Sequence, residues 1–311
     1  MSWEIIIFAM LSYSDTLSKW SVFIMEVKKV AVLGAGLMGH GIAQVSAQVA
    51  KYEVNLRDVE QRFIDSGMGM IKGSLQKFVS KGTLAEKDMN ETLGRIHPMT
   101  DLKKAVADAD LIIEAIPENI ELKKSVWAEV DKHAKEGAIF ASNTSSISIT
   151  EMASATRRPE KFCGMHFFNP PQLMNLVEIV RGAKTSDETV KVVAEAAKKM
   201  GKETVLCKKD VPGFIVNRVL MPALNEAIFL VNEGIADPED IDKAIKLGLN
   251  WPMGPITLLD YLGLDTTLSI TEVLQKDFGD KYRACPLLRQ MVRAGLLGRK
   301  TGKGFYSWEK K

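Results

Sequence analysis

Residues 27–41 read VKKVAVLGAGLMGHG, an apolar strand-like run followed at once by a glycine-rich turn. The run from Val27 to Leu33 has the length and the β-branched content of a buried strand. A helical pattern begins after the third glycine and continues to about Ala50. Strand, glycine turn and helix in this order are typical of the first unit of a nucleotide-binding sheet, so this stretch predicts the fold.

The turn has the pattern G-x-G-x-x-G. In a dinucleotide-binding unit the first glycine makes the tight turn, the second lets the backbone approach the pyrophosphate, and the third allows close helix packing. The helix N-terminus then favours the phosphate charge. The residues of the turn that we expect to contact a dinucleotide are Gly34, Gly36, Leu37, Met38 and Gly39. A glycine turn with a purely structural role is the alternative.

A second strand, 53–57, ends at Asp58, nineteen residues after Gly39. An acidic residue at about this distance accepts hydrogen bonds from the ribose hydroxyls and would repel a 2′-phosphate. The sequence therefore favours NAD as the cofactor. NADP stays open as an alternative, because Arg57 could accommodate that phosphate.

Strands and helices alternate through the first two thirds of the chain. Further strands are predicted at 110–115, 138–142, 161–168, 175–180 and 203–207. This alternation predicts a Rossmann-type, doubly wound α/β sheet over residues 25–210, with an inserted helical hairpin at about 60–94. From residue 211 the pattern is helical, which predicts an all-helical C-terminal domain over 211–311. Pro222 should kink its first long helix or lie in the first turn of that helix.

Composition limits the class of protein. The chain has 311 residues, and its 41 Lys and Arg against 39 Asp and Glu give a net charge of +2, which provides no case for nucleic-acid binding. Three cysteines far apart in the sequence predict free thiols in a reducing compartment, the cytoplasm. With four histidines and no His/Cys cluster, we expect no metal site.

The first 24 residues differ from the rest. Their apolar run at 5–11, IIIFAML, is too short to span a bilayer and lacks the basic flank of a secretory signal. We therefore expect residues 1–24 to be a poorly ordered extension and the protein to have no membrane anchor.

A carboxylate stands inside an apolar strand in the sequence LVEIV, residues 176–180. Because alternate strand residues share a face, Glu178 lies on the face of Leu176 and Val180, and a buried carboxylate needs a partner. His166 comes from the preceding strand, and a return strand would bring the two together. Histidine with an acidic partner is the usual proton-transfer pair, and a structural ion pair is the alternative.

Two other strands end in polar sequences, EAIPEN at 114–119 and SNTSS at 142–146. Ligands in such folds lie beyond the carboxyl ends of the strands. Glu118, Asn143 and Ser145 are therefore expected to edge the nicotinamide crevice. Capping of the next helix by residues 143–145 is an equal alternative.

Seven motifs together resemble the 3-hydroxyacyl-CoA dehydrogenase family. They are GAGLMGHGIAQ, EAIPEN, ASNTSSISIT, GMHFFNPPQLMNLVEIV, PGFIVNR, PMGPITLLDYLGLD and GRKTGKGFY, in the family's order over residues 27–307. The compact length and the stretch at 281–306 are most similar to the bacterial branch that acts on 3-hydroxybutyryl-CoA.

The resemblance implies interconversion of 3-hydroxyacyl-CoA and 3-ketoacyl-CoA by hydride transfer. It implies that His166 takes the 3-hydroxyl proton, that Glu178 orients the imidazole, and that Ser145 and Asn217 contact the substrate. It also implies cofactor contacts, at Glu118, Lys123, Ser145, Asn169 and Lys300. Ser74 and Lys81 match positions that touch coenzyme A, and the helical domain resembles a dimerisation domain, which implies a homodimer or a higher homo-oligomer.

Two other functions compete with this one. A dehydrogenase of a free hydroxy acid or sugar acid on the same scaffold would not need Ser74 and Lys81. A non-catalytic relative that keeps the fold and binds NAD would not need the proton-transfer pair.

Overall fold

The strand before the glycine turn lies inside an eight-stranded sheet. The computed structural model describes residues 25–308, so the predicted extension at 1–24 lies outside the described residues. The strands, in chain order, are β1 (Lys29–Leu33), β2 (Glu53–Arg57), β3 (Ile96–Met99), β4 (Leu111–Glu114), β5 (Ile139–Ser142), β6 (Phe162–Phe167), β7 (Leu176–Val180) and β8 (Glu203–Cys207).

The sheet has the order β3-β2-β1-β4-β5-β6-β7-β8. Strands β1 to β6 are parallel, and the chain reverses its direction of winding between β1 and β4, which is the switch point of a Rossmann-type sheet. Strand β7 is antiparallel to β6, and β8 runs parallel to β7. The predicted doubly wound, mainly parallel sheet is confirmed.

Helices cover both faces of the sheet, as the alternating burial of β1 requires. Val30 and Val32 face one apolar layer, which includes Ile42. Ala31 and Leu33 face the other layer, which contains Trp127, Phe140 and Phe162. The helices of this part are α1 (Gly39–Gln48), α2 (Gln61–Ser80), α3 (Glu86–Gly94), α4 (Leu102–Val106), α5 (Ile120–His133), α6 (Ile149–Ala153) and α7 (Asp187–Lys199).

Helices α2 and α3 form the predicted hairpin, and residues 81–85 connect them. Strand β3, which follows the hairpin, was not predicted. It has four residues, includes Pro98, and pairs with β2 at the edge of the sheet. A proline lacks the N–H that an interior strand would donate, but an edge strand tolerates it. A short run with an internal proline therefore gives a weak strand signal in the sequence.

The chain from Val216 is helical, as predicted, apart from single bridges at Gly298–Lys303 and Lys303–Ser307. Its helices are α8 (Val216–Asn232), α9 (Pro238–Leu249), α10 (Pro255–Leu262), α11 (Leu264–Phe278) and α12 (Pro286–Arg293). They enclose a separate apolar core that includes Leu224, Ile228, Leu259 and Leu274.

Pro222 lies inside α8 and not in its first turn. A proline within a helix leaves the carbonyl four residues earlier without its N–H donor. That carbonyl belongs to Arg218, and the Tyr282 hydroxyl donates to it at 3.3 Å. The helix therefore tolerates the proline with a side-chain donor in place of the missing amide.

No helix between residues 25 and 308 is long and apolar enough to cross a membrane. The same part of the chain contains no group of three or more His, Cys, Asp or Glu residues that could hold a metal ion.

We expect the three cysteines to react slowly in the native protein. Cys163, Cys207 and Cys285 are free and buried, and burial raises the pKa of Cys163 to about 12. Because the thiolate is the reactive form, alkylation by iodoacetamide at pH 8 should be much slower than in the unfolded chain. Mass spectrometry of timed samples checks this, with protein in guanidinium chloride as the control. Rapid labelling of Cys163 without unfolding would contradict it.

Candidate active site

His166 and Glu178 lie directly opposite each other on the antiparallel strands β6 and β7. Their side chains project from the same face of the sheet, and His166 Nδ1 lies 2.7 Å from Glu178 Oε2. The histidine is 6% exposed and the glutamate is fully buried. The partner that the buried carboxylate needed is therefore the predicted histidine.

The second carboxylate oxygen of Glu178 is held by the start of α8. The backbone amides of Ile215 and Val216 donate to Oε1 at 3.0 and 2.9 Å. Backbone amides can only donate, so an ionised carboxylate suits this environment, and the helix N-terminus adds favourable electrostatics. The proton shared with His166 then belongs on Nδ1, which leaves Nε2 of the neutral ring as a proton acceptor.

Two aromatic rings cover the imidazole. The ring centroids of Phe168 and Phe214 lie 4.6 and 5.6 Å from that of His166. Phe214 has φ 47°, a left-handed conformation that costs a non-glycine residue roughly 1–2 kcal/mol. Phe214 directly precedes Ile215, so the strained residue is next to the two amides that donate to Glu178.

The glycine turn has the geometry that a dinucleotide requires. Gly34 has φ 101°, and a Cβ there would lie 2.5 Å from the carbonyl oxygen of Ala115. Above Gly36 the space is open, because a Cβ would meet nothing within 4 Å. The first turn of α1 contains no acidic residue. The residues present therefore fit the pyrophosphate of NAD at this helix N-terminus.

Asp58 follows β2 and reaches across to the glycine turn. Its Oδ2 accepts a hydrogen bond from the Ala35 amide at 2.7 Å, and Oδ1 accepts one from the Val59 amide at 2.7 Å. The carboxylate thus lies at the carboxyl ends of β1 and β2, where an acid that binds the ribose was predicted.

A buried lysine lies beside the end of β4. Lys123 is 1% exposed, and its Nζ lies 2.5 Å from Glu114 Oε1 and 3.0 Å from Glu118 Oε2. Glu114 is fully buried and also accepts a hydrogen bond from Ser142 Oγ at 2.7 Å. Glu114 was not among the predicted site residues, although an acid that ends the apolar strand LIIE carries the same signal as Glu178.

Glu118 joins this network to the following loop. The Thr144 hydroxyl and the Ser145 amide donate to its Oε1 at 2.5 and 3.0 Å. Partial loss of hydration acts to raise the pKa of Glu118, whose side chain is 40% exposed, but the charge of Lys123 and these two donors outweigh that effect. The pKa of Glu118 is therefore below its usual range.

Asn143 and its neighbours do not cap the next helix, so that alternative is wrong. Ser148 caps α6, with its hydroxyl accepting from the Glu151 amide. Asn143 Oδ1 instead accepts from the Phe167 amide at 2.9 Å, which connects the loop after β5 to the end of β6. This contact brings the loop that carries Ser145 to the strand that carries His166.

The remaining candidates lie in several places. Asn217 is buried in the first turn of α8, next to the amides that bind Glu178. Asn169 is exposed after β6, and Lys300 Nζ lies 2.5 Å from Asp265 in the helical part. Ser74 lies in α2, and Lys81 is the first residue after that helix, at the start of the connection to α3.

The Rossmann-type sheet, its open glycine turn and the histidine–glutamate pair define a class of protein, the NAD-dependent oxidoreductases. A family model for the 3-hydroxyacyl-CoA dehydrogenase NAD-binding domain matches residues 29–211, and one for the C-terminal domain of the same enzymes matches 213–308. This chain belongs to the 3-hydroxyacyl-CoA dehydrogenase family.

Three relatives illustrate the similarity. A probable 3-hydroxybutyryl-CoA dehydrogenase from Deinococcus radiodurans is 55% identical over 282 residues, which cover 90% of this chain and 100% of the relative. The crystal structure of (S)-3-hydroxybutyryl-CoA dehydrogenase from Ralstonia eutropha has a TM-score of 0.87 at 44% identity, covering 92% of this chain and 100% of that one. A diketoreductase structure has a TM-score of 0.80 at 32% identity, covering 91% and 99%.

Proposed function

We propose that this chain interconverts 3-hydroxyacyl-CoA and 3-ketoacyl-CoA, with 3-hydroxybutyryl-CoA and acetoacetyl-CoA as its substrate pair. The observation that carries the proposal is the 2.7 Å contact between His166 and Glu178, on strands next to the NAD-binding part of the sheet. The names of the similar dehydrogenases support the choice of substrate. Such a reaction has a place in fatty acid or butyrate metabolism.

The proposed acid–base step uses His166 Nε2. In the oxidation direction Nε2 accepts the proton of the 3-hydroxyl group, the C3–H bond breaks, and a carbon–oxygen double bond forms. NAD supplies the hydride acceptor in this direction and the hydride donor in the other. Glu178 holds the ring by its Nδ1–H and stabilises the imidazolium that forms. In the reduction direction the same Nε2 returns the proton to the oxygen.

We assign substrate contacts to four residues. Ser145 and Asn217 lie on the loop after β5 and on the first turn of α8, two elements that hydrogen bonds connect to β6 and β7. Their hydroxyl and amide groups suit the substrate oxygens. Ser74 lies in α2, and Lys81 follows the last residue of that helix, where a lysine suits a phosphate of coenzyme A.

We assign the cofactor contacts to the five residues of the glycine turn and to Asp58, Glu118, Ser145, Asn169 and Lys300. Lys123 belongs to the same set, but it is buried and bonded to Glu118. Its contribution is therefore to hold the Glu118 carboxylate at the edge of the crevice.

The direct test is a spectrophotometric assay with acetoacetyl-CoA and NADH. We expect oxidation of NADH that depends on both compounds, and higher kcat/KM for C4 than for C10 acyl chains. Free acetoacetate is the control substrate. Folded protein that binds NADH but does not turn over any 3-ketoacyl-CoA would contradict the proposal.

A second candidate function is reduction of a free keto acid or a related dicarbonyl compound. The similarity to a diketoreductase over 91% of this chain favours keeping it. A kcat/KM for acetoacetate comparable to that for acetoacetyl-CoA would select this alternative, because it would show that Ser74 and Lys81 contribute nothing to substrate binding.

Asp58 should determine the cofactor preference. We expect Asp58→Ser to lower the ratio of kcat/KM for NADH to that for NADPH by about ten- to a hundredfold, the value of hydrogen bonds to a charged group. Asp65→Ser is the matched control, since Asp65 is exposed on α2 and its loss changes the net charge equally. An unchanged ratio of the two kcat/KM values in Asp58→Ser would show that another residue binds the ribose hydroxyls.

We propose that the chain works in the cytoplasm as a homodimer or a higher homo-oligomer. We also propose its division into a sheet domain at 25–210 and a helical domain at 211–311 that carries the interface. Four large apolar side chains of the helical part are more than half exposed, namely Val219, Ile235, Leu247 and Leu249. Sedimentation equilibrium tests the assembly, and Leu247→Glu should shift it towards monomer.

A further inference from the structure

Lys202 is a buried cation that the catalytic scheme does not use. It follows α7, is 7% exposed, and its Nζ donates to the carbonyl oxygens of Pro171 and Met174 at 2.6 and 2.8 Å. Burial lowers its pKa, and no carboxylate from the described part of the chain offsets that effect. A buried ammonium held only by carbonyl groups requires them to stay in place, because each is a compensating dipole.

Both carbonyls belong to the loop at 168–175, which joins the histidine strand to the glutamate strand. Within this loop the amides of Leu173 and Met174 both donate to the Pro170 carbonyl at 3.0 Å. The next strand begins beside it, since the Glu203 amide donates to the Asn175 carbonyl at 2.8 Å. Lys202 therefore fixes the outer turn of the loop from the side of β8.

The other side of this loop packs on the dinucleotide helix. A Cβ added to Gly41, in the first turn of α1, would lie 2.6 Å from Gln172 Oε1 and 2.8 Å from Pro171 Cδ. The fit leaves no room for movement of the loop towards α1. Lys202 holds the same proline by its carbonyl, so the loop is enclosed between the cation and the cofactor-binding helix.

The geometry points to Lys202 as a positioning residue for the redox reaction. It acts through the loop at 168–175, which it holds against α1, and so sets the distance between the bound nicotinamide cofactor and two residues, Asn169 near the start of the loop and His166 on the preceding strand β6. The turnover part of the test rests on the proposed function, because it uses acetoacetyl-CoA. The NADH-binding part requires only that the protein binds NAD.

The test compares Lys202→Met with the wild type by NADH fluorescence titration and by acetoacetyl-CoA kinetics. We expect the dissociation constant for NADH to rise and kcat to fall, each by about ten- to a hundredfold, as a displacement of about 1 Å in a site can cause. The KM for acetoacetyl-CoA should change less than about threefold. Lys202→Arg, which keeps the charge and the donors, should recover most of the NADH affinity.

Lys198→Met is the matched control, because Lys198 is exposed on α7 and pairs with Glu195. It should match the wild type. A lower melting temperature for Lys202→Met with unchanged NADH affinity and kcat would overturn the inference, since that is the result of a purely structural role.

A double-mutant cycle covers the case in which Lys202→Met does not fold. Lys202→Gln and Asn169→Ala, alone and together, should weaken NADH binding non-additively if the lysine acts through the loop. Additive effects would overturn the inference, as would failure of all Lys202 variants to fold. Wild-type protein that binds NADH without reducing acetoacetyl-CoA would contradict the proposed function. The NADH affinities of the four proteins in the cycle would still decide whether Lys202 acts through the loop.

Discussion

His166→Gln is expected to lower kcat for acetoacetyl-CoA reduction by about 10²–10⁴-fold, the usual contribution of a general acid–base group. Glutamine can fill the space between the rings of Phe168 and Phe214 and can still donate to Glu178. It cannot hold a transferable proton at the position of Nε2. Because the glycine turn is untouched, the dissociation constant for NADH should stay within about twofold.

Stopped-flow measurement of a single turnover, together with an NADH titration, checks this expectation. His97→Gln is the control, since His97 lies on the exposed edge strand and contacts Glu53. Retention of the wild-type rate in His166→Gln would remove this histidine from the proton transfer, and loss of NADH binding would make its role structural.

Glu178→Gln is expected to lower kcat by about 10²–10⁴-fold as well, for a different reason. Ile215 and Val216 present two N–H donors, so the glutamine carbonyl must face them. The amide NH₂ then faces His166 Nδ1, which must accept instead of donating. That reverses the tautomer, puts the hydrogen on Nε2, and prevents it from accepting the hydroxyl proton.

The reversed tautomer can be seen directly by ¹⁵N NMR of labelled histidine in Glu178→Gln. Glu195→Gln, on an exposed face of α7, is the control and should keep both the rate and the spectrum. An unchanged tautomer with a normal rate would show that Glu178 does not orient the ring.

Much of the fold could be predicted because its signals are local. Alternation along LVEIV placed Glu178 on a buried face, and the antiparallel return from β6 then fixed His166 as its neighbour. The glycine turn and Asp58 lie within one strand–helix–strand unit, so their spacing alone carried the prediction.

The contacts that the sequence did not predict join distant elements. Every residue except proline has a backbone amide, so the sequence does not indicate that those of Ile215 and Val216 bind a carboxylate. They reach Glu178 only because α8 begins beside β7. The family resemblance implied Lys123 as a cofactor contact, but its burial and its bond to Glu114 depend on how α5 packs beside the end of β4.

The hydrogen bonds from the start of α8 to Glu178 affect which chimaeras of family members can be active. A chimaera made by exchanging everything after β8 would take its histidine and glutamate from one parent and the amides that grip the carboxylate from the other. A side-chain substitution does not move a backbone amide back into place. The orientation of α8 relative to β7 would therefore determine whether the chimaera is catalytically active. Laboratory crossovers placed between the strained phenylalanine and the helix are therefore the ones we expect to be least tolerated.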